Sequence, residues 1–532
     1  MAIRLTDIQK RLLFILCLAQ FSISADIANL SIATATLVST FSTELSAIKT
    51  LGSIQPLIGA ALMLPAGLIG LFIGWRVMLI AGAIIGFVST ILFVIAPNVE
   101  FLTFLARPLT GVSSALILPA ILALISGHFP GKSRALAFGI LAASGGLAAA
   151  IVPLASGLLM DHVSWVLPFI LISVFYFLTS IFSFLGIQSL ATKRPNSFDV
   201  SGMLLSSTGI VFVVIGLINA PAWGLFKSVY NTSLPAWYTE LTPISPTLVL
   251  ITMGFMLLIA FYIQQRRREA AGKAGLLPVR WLRNRQCANG FLLLGLMYMI
   301  LGGVSFIVIT YLQVAISLSS AHSGFIILLF SICMIAFSVL TPILFKETPP
   351  KRLCLLAFIG LASASTVLMS SSCTNHIHLP FYFGMLLIGA SMGMLASQCP
   401  AIITNALGES DAAQSSGLQA TVRNTGVVIG ICLIGGTQQW ALEHSIRQHS
   451  DQSQTLFPSH FIAEVNNRPT VPYLDDVRIS NIADAYGMDH RQIDTLLTLN
   501  ADSRLASFQK ALMVMIFLSG LGALTSTRLS RS

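Results

Sequence analysis

Long apolar runs recur along almost the whole chain and leave little choice of fold. The hydrocarbon core of a bilayer is about 30 Å thick, so a helix needs about 20 mainly apolar residues to cross it. The first such run covers residues 12–33, and the sequence predicts about fourteen of them. Charged residues make up only 9% of the 532 residues, against about a quarter in soluble domains. We therefore expect a polytopic protein whose first partner is the lipid bilayer.

The order of the runs predicts two similar halves with an insertion between them. Six runs lie between residues 12 and 187, two between residues 201 and 264, and six between residues 289 and 528. We expect an all-α membrane protein with an N-terminal six-helix bundle in residues 1–190. Two inserted helices and a basic link fill residues 191–286, and a C-terminal six-helix bundle fills residues 287–532. Duplicated halves of this kind hold a transporter's site at their interface.

One polar stretch, residues 441–507, interrupts the second half. It is rich in Ser, Gln and Asp, a composition typical of solvated segments. We expect mostly loop outside the membrane, with a short amphipathic helix near residues 489–499. This stretch is also the candidate contact surface for a partner on the outer side.

Basic residues indicate the orientation. The net charge is +10, and the strongest Lys and Arg cluster lies in residues 266–285, between the inserted pair and the second half. Short loops rich in Lys and Arg stay in the cytosol, and an even number of spans then leaves both termini there. We expect a multi-pass protein of a bacterial cytoplasmic (inner) membrane. This orientation explains the positive charge without nucleic acid as a partner.

A carboxylate, Asp26, stands inside the first run. A charge within hydrocarbon costs several kcal/mol or more, so Asp26 should face a cavity or a partner. Ser22, Asn29 and Ala33 fall on the same helix face and complete a small, polar stripe. The stripe is a candidate pathway wall with Asp26 as proton carrier. The alternative is a buried acid that locks helices together by pairing with a fixed base.

Arg107, in the fourth run, is predicted at the same depth as Asp26. Asp26 lies about 21 Å from the inner edge at 1.5 Å per residue. The fourth helix runs the other way, so Arg107 lies about 9 Å from the outer edge of a core about 30 Å thick. If the two helices adjoin, the side chains can pair. The pair is either a proton switch or a fixed hydrogen-bond hub.

Motifs of catalysis are missing from the sequence. The seven cysteines have no paired spacing, and no His or Cys group completes a metal site. There is no phosphate-binding loop, HExxH helix or GxSxG elbow. We expect no enzyme activity, no metal and no cofactor.

Several short motifs follow one another in a fixed order. Arg107, Thr110, Gly111 and Ala115 fit R-x-x-Q-G-x-x-x-A with Thr110 in the Gln position. Pro153 and Gly157 lie in a G-P-x-x-G-G-like element, followed later by Tyr311-Leu312-Gln313 and by Arg423-Asn424-Thr425-Gly426. The order resembles that of the fourteen-helix drug:proton antiporter branch of the major facilitator superfamily. The resemblance implies that fold, a proton gradient as energy source, and helix contacts or gates at Gly111, Pro153, Gly157, Arg423 and Gly426.

The loop after the second run departs from the pattern of that family. The family sequence is G-x-L-x-D-R-x-G-R-R, and here the segment runs from Gly67 through Gly74 to Arg76 with Leu71 in the Asp position. In the family that Asp helps to hold the cytosolic gate closed. We therefore expect this gate to close by apolar packing or through other charges.

The resemblance and the polar stripe together predict a proton-coupled exporter of lipophilic or cationic drug-like compounds. Its pocket candidates are Phe21, Asn29, Gln55, Tyr298, Tyr311 and Gln313. One alternative is an exporter of a specific endogenous metabolite, which the missing gate Asp would suit. Another is a membrane sensor or scaffold that transports nothing and uses residues 441–507 to bind an outer partner.

Overall fold

The computed structural model describes residues 5–43, 45–188, 197–224, 244–318, 320–452, 457–467, 471 and 473–529. Within them are fourteen helices long and apolar enough to cross a membrane, as the sequence predicts. The predicted start of the inserted region at residue 191 lies outside the described residues.

The spanning helices are numbered together with three short ones. The first half contains α1 (Asp7–Thr40), α2 (Leu45–Ile73), α3 (Trp75–Val94), α4 (Val99–His128), α5 (Lys132–His162) and α6 (Leu167–Gly186). The inserted pair is α7 (Val200–Trp223) and α8 (Pro246–Ala270), followed by the short α9 (Val279–Arg283). The second half contains α10 (Arg285–Ala315), α11 (Ser320–Leu344), α12 (Pro350–Ser371), α13 (Leu379–Ala412), α14 (Ser416–Gly430, continuing through Gly436–Gln452) and α17 (His490–Thr527), with the short α15 (Ser459–Asn467) and α16 (Asp476–Ala485).

The two ends of the chain lie at one end of the helix bundle, which we call the terminal face. There Gln9, at the start of α1, donates to the His128 carbonyl at the end of α4, 3.0 Å away. At the same face Lys351 donates to the Thr527 carbonyl at the end of α17. The other end of the bundle is called the distal face.

The inserted pair is a tight hairpin held at the terminal face by Asp199. The α7–α8 crossing is close, since a methyl group added to Gly254 would lie 2.7 Å from the Gly209 carbonyl oxygen. The fully buried Asp199 carboxylate caps α7 and accepts from Gln264 at 2.9 Å and Gln265 at 2.6 Å. The hairpin docks on the first half through the Ser207 hydroxyl, which donates to the Ala61 carbonyl of α2 at 2.8 Å.

The predicted solvated loop in residues 441–507 is wrong for the part that the structure describes. Helix α14 continues to Gln452, α15 and α16 follow, and α17 begins at His490 rather than at the edge of the last apolar run. These segments, which we call the cap, share a small apolar core of Phe457, Ile462, Ala483, Met488 and Leu496. Few apolar residues suffice here because each short helix buries only one face.

The amphipathic helix expected near residues 489–499 is present as the first part of α17. Asp489 accepts from the Gln492 amide at 2.7 Å, and the Gln492 side chain accepts from the Asp489 amide at 3.0 Å. This capping box fixes where α17 begins. Arg504, 1% exposed, ties the cap to α10 by donating to the Val314 and Leu474 carbonyls at 2.9 and 3.0 Å.

Close packing inside the first half depends on a glycine at position 86 of α3. A methyl group there would lie 2.6 Å from the Tyr176 ring of α6 and 2.7 Å from the Ser113 hydroxyl of α4. These three helices therefore meet closely only because residue 86 has no Cβ.

We expect Asp199→Ala to lower the thermal unfolding midpoint of the purified protein more than Asp199→Asn does. Both lose the charge, but Asn still caps a helix, and losing a cap costs about 1 kcal/mol. Burial by itself would raise the pKa of Asp199, but hydrogen bonds from Gln265, Gln264 and Gly202 and the charge of Arg268 outweigh it and lower the pKa below 3.8.

The lowered pKa of Asp199 predicts that the stability of the folded protein depends on pH. Because its folded-state pKa is lowered, Asp199 contributes stability above its ordinary pKa and loses that contribution as the pH falls through the folded value. The wild-type midpoint should therefore fall more steeply than the Asp199→Asn midpoint when the pH is taken below 3.8. Parallel curves for the two proteins would contradict this role.

We expect Gly86→Ala to destabilise the protein by about 1–3 kcal/mol, the usual cost of forcing a methyl group into a packed contact. Thermal unfolding in the same detergent measures it. Gly520→Ala is the matched control, because nothing lies within 4 Å of its added methyl group. Equal midpoints for the two variants would show that α3, α4 and α6 do not pack as described.

Candidate functional site

The centre of the first half holds a buried ion pair. The Arg107 Nη1 atom of α4 lies 2.9 Å from the Asp26 Oδ2 atom of α1, and the two side chains are 2% and 0% exposed. This is the pairing that equal depth predicts. Each charge removes most of the cost of burying the other.

A local irregularity in α4 positions Arg107. The turn Leu102–Ala106 is π-helical, and the Arg107 amide donates to the carbonyl of Leu102. Pro108 has no amide hydrogen with which to continue the ladder. The Ala106 carbonyl, one turn before Thr110, accepts from the Ser89 hydroxyl at 2.8 Å and from the Thr110 hydroxyl at 3.1 Å. Thr110, the departure from the family motif, thus joins α4 to α3 beside the pair.

Two more helices, and a further residue of α1, bring polar side chains to the pair or next to it. Gln55 of α2 lies beside the Asp26 carboxylate, and Tyr176 of α6 lies near both charges. Asn29 follows one helical turn after Asp26 and is also fully buried. Sequence reasoning missed Tyr176, because a tyrosine in an aromatic-rich run gives no sign of which helix it faces.

This buried group has unused hydrogen-bonding capacity. Among the described residues, no hydrogen bond reaches Asp26 Oδ1, Arg107 Nε, the Tyr176 hydroxyl, or either amide atom of Asn29 and Gln55. Most buried polar atoms in proteins are paired. These five side chains can therefore exchange partners without leaving the protein interior.

The other pocket candidates are not gathered in one place. Phe21 packs edge-on against Phe175 within the first half, 5.2 Å between ring centres. Tyr311 stacks on Phe508 at 4.1 Å, and its hydroxyl bonds the backbone of Cys373. Gln313 is exposed in the π-helical turn Tyr311–Ala315. Whether any of them contacts a substrate stays a prediction.

Tyr298 and Arg423 form a separate contact inside the second half. The Arg423 guanidinium of α14 lies 4.8 Å from the centre of the Tyr298 ring of α10. A guanidinium over an aromatic face is attractive. Arg423 therefore joins two helices of one half and lies apart from the Asp26–Arg107 pair.

Of the predicted gate and packing residues, Gly67 lies between the halves. A methyl group on Gly67 of α2 would lie 2.8 Å from the Gly417 Cα atom of α14, so two backbones touch near the terminal face. Gly111 packs on Ile58 within the first half, and Gly426 packs on Tyr298 within the second. Gly157 meets only Ile32, at 4.0 Å. Pro153 lies inside α5 and is half-buried.

The segment between α2 and α3, where Leu71 replaces the gate Asp of the family, packs mainly through apolar groups. Leu71 is buried in the main core, and the Trp75 ring, 1% exposed, lies over Gly70. Gly74 precedes α3 with φ of 91°, a conformation that favours glycine. Arg76 donates to the Phe184 carbonyl of α6 and so contacts its own half.

A polar contact between the halves comes from Arg134, which sequence reasoning also missed. It is 5% exposed, and its Nη1 atom donates to Asn405 Oδ1 of α13 at 2.8 Å. Its other nitrogens donate to the Phe129 and Ser126 carbonyls at 2.9 and 3.0 Å. With Gly67 and Gly417 it holds the halves together at the terminal face.

At the distal face a cavity of about 760 Å³ lies between α2, α7, α10 and α14 under the cap. Its walls include Gly52, Ser53 and Pro56 of α2. Gln55, on the same turn, lies beside Asp26. One turn of α2 therefore joins the cavity to the buried ion pair.

Comparisons with known proteins agree with this architecture. Residues 16–431 match the family model described as Major Facilitator Superfamily. The human organic anion transporter MFSD10 (TETRAN) has a similar fold, with a TM-score of 0.57 over 96% of this chain and 99% of that one at 10% identity.

Curated relatives are bacterial. A Streptomyces coelicolor protein named "Probable actinorhodin transporter" is 24% identical over 71% of this chain and 63% of its own length. The Streptomyces glaucescens "Tetracenomycin C resistance and export protein" is 27% identical over 62% and 57%. The Bacillus subtilis "Multidrug transporter protein MdtP" is 25% identical over 70% and 64%. The chain thus matches less than two thirds of the length of these three relatives.

Fourteen apolar helices among the described residues and a family match over most of the chain lead to one conclusion. The protein belongs to the major facilitator superfamily.

Proposed function

We propose that the protein is a proton-coupled antiporter that exports lipophilic or cationic drug-like compounds across a bacterial cytoplasmic membrane. The terminal face, with the basic cluster of residues 266–285, lies in the cytosol under the positive-inside rule. Relatives named as antibiotic or multidrug exporters support the substrate class. The observation that carries the proposal is the buried Asp26–Arg107 pair.

A proton and Arg107 compete for the same carboxylate. When Asp26 binds a proton it no longer needs a cation beside it, and Arg107 is free to turn to other acceptors. The unpaired amides of Asn29 and Gln55 and the Tyr176 hydroxyl are those alternative partners. Protonation therefore changes the contacts among α1, α2, α4 and α6 without exposing a charge to lipid.

The contacts between the halves set the direction of access. At the terminal face Gly67–Gly417 and Arg134–Asn405 hold the halves together, whereas the cavity lies at the distal face. In this state a proton would reach Asp26 from outside, along the turn of α2 that bears Gln55. Release to the cytosol requires the terminal face to part, and an antiporter moves its substrate in the opposite sense to the proton.

We expect Asp26→Asn to abolish export driven by a pH gradient, because Asn cannot bind and release a proton. The measurement uses proteoliposomes and the compound that the wild-type protein exports best from a panel including puromycin and lincomycin. Substrate exchange without a gradient, measured in the same vesicles, should persist, since exchange needs no net proton movement.

The matched control is Asp502→Asn, which removes a carboxylate from an exposed position on α17. It should behave as the wild-type protein does. Gradient-driven export by Asp26→Asn at the wild-type rate would refute proton coupling through this residue.

A further inference from the structure

The distal cavity is large enough to hold a ligand. Its volume of about 760 Å³ is that of a pocket for a drug-sized molecule. Four spanning helices form its walls, and Tyr473, Leu474 and Arg478 of the cap close it from above. The cap is anchored there, because Arg504 donates to the Leu474 carbonyl at 3.0 Å.

One wall of the cavity is apolar, and its backbone contains a π-helical turn. The π-helical turn Ile431–Gly435 of α14 contributes Ile431, Cys432 and Gly435 to the lining. A methyl group on Gly435 would lie 2.7 Å from the Phe306 ring of α10, so the glycine lets that ring lie flat against α14. Phe306 remains 44% exposed, which leaves an aromatic surface for a lipophilic ligand.

Several polar groups of the lining can donate hydrogen bonds. Gln438 is 2% exposed, and its Nε2 atom has no hydrogen-bond partner among the described residues. The buried Tyr473 hydroxyl lies near Gln438 and Ser507 without forming a hydrogen bond to a described residue. Burial raises the pKa of Tyr473 to about 12, so its hydroxyl keeps its hydrogen. Arg478 adds a guanidinium at the roof.

Carboxylates are missing from the described lining. The eighteen lining residues include one cation, Arg478, and no Asp or Glu. The nearest acids are engaged outside it: Asp475 lies 3.8 Å from Arg478, and Glu443 accepts from Gln439 at 3.0 Å. The described lining offers no counter-charge to a lipophilic cation, whereas an anion or a carbonyl group meets Arg478 and other groups that can donate.

We propose that this cavity is the release site for exported compounds, and that it binds lipophilic anions and acceptor-rich molecules in preference to lipophilic cations. The inference rests on the proposed export function and narrows its substrate class. Gln438, Tyr473 and Arg478 recognise the anionic or acceptor group, and Phe306 with the π-helical turn holds the apolar body.

Two ions of the same shape and opposite charge test the preference: tetraphenylborate and tetraphenylphosphonium. Cys432 lines the cavity and is half-buried, so its alkylation by N-ethylmaleimide, read by mass spectrometry on the full-length protein, reports occupancy. Cys333 of α11, also half-buried, is the internal reference. At ten times its dissociation constant, tetraphenylborate should slow Cys432 alkylation about tenfold, and tetraphenylphosphonium at the same concentration should not.

Charge variants distinguish recognition of the two ions by the cavity from simple partition of the ions into the membrane. Gln438→Glu places an isosteric carboxylate in the cavity and should reverse the preference, so that the phosphonium protects Cys432. Arg478→Gln changes an exposed side chain and should weaken protection by the borate. Gln448→Glu adds the same charge at an exposed position of α14 outside the described lining and should leave both ions as in the wild-type protein.

Equal protection by both ions, protection by the cation alone, or no protection by either would overturn the proposal. The test needs no transport and no proton gradient. Protection by the borate in a protein that fails the gradient-driven export assay would uphold this site and refute the proposed function. Active export without protection of Cys432 by tetraphenylborate would refute this site and uphold the proposed function.

Discussion

The buried pair of Asp26 and Arg107 constrains how the helices of the first half pack around it. Two charges away from water are tolerated only with a good partner geometry and further hydrogen bonds. The π-helical turn before Arg107, the Ser89 and Thr110 hydroxyls on the Ala106 carbonyl, and Gly86 beside Tyr176 all serve that geometry. The unpaired atoms around it are the exception, and they lie where the proposed exchange of partners would take place.

Irregular backbone lies beside the ion pair, below the cap and in the wall of the distal cavity. The three π-helical turns lie next to Arg107, at the distal end of α10, and in the wall of the distal cavity. Such turns are rare and are frequent at functional sites. In a membrane, irregular backbone is tolerated where it is buried in protein or lines a cavity. Leu102, Thr103 and Ala106 of the first turn and Tyr311, Leu312 and Ala315 of the second are buried. Ile431, Cys432 and Gly435 of the third line the distal cavity.

The number of spanning helices and the depth of the ion pair could be predicted from the sequence, because the length of an apolar run and the position of a charge within it can be counted along the chain. Helix rise alone brought Asp26 and Arg107 to one level, and the missing acid at Leu71 predicted a gate that closes by apolar packing or through other charges. Tyr176 and Arg134 were missed because their roles depend on which helices adjoin and how each is rotated. The cap was missed because composition reports solvent exposure, whereas its short helices bury a few residues against one another.

The central claim is that Asp26 gains and loses a proton inside the bundle. Infrared difference spectroscopy tests it most directly, because a protonated carboxyl has a carbonyl band separate from those of ionised carboxylates. As the pH is lowered, the wild-type protein should gain a band from a water-shielded carboxyl that Asp26→Asn lacks and Asp502→Asn keeps. Identical difference spectra for wild type and Asp26→Asn would mean that the pair is a fixed structural bridge, and would contradict the account.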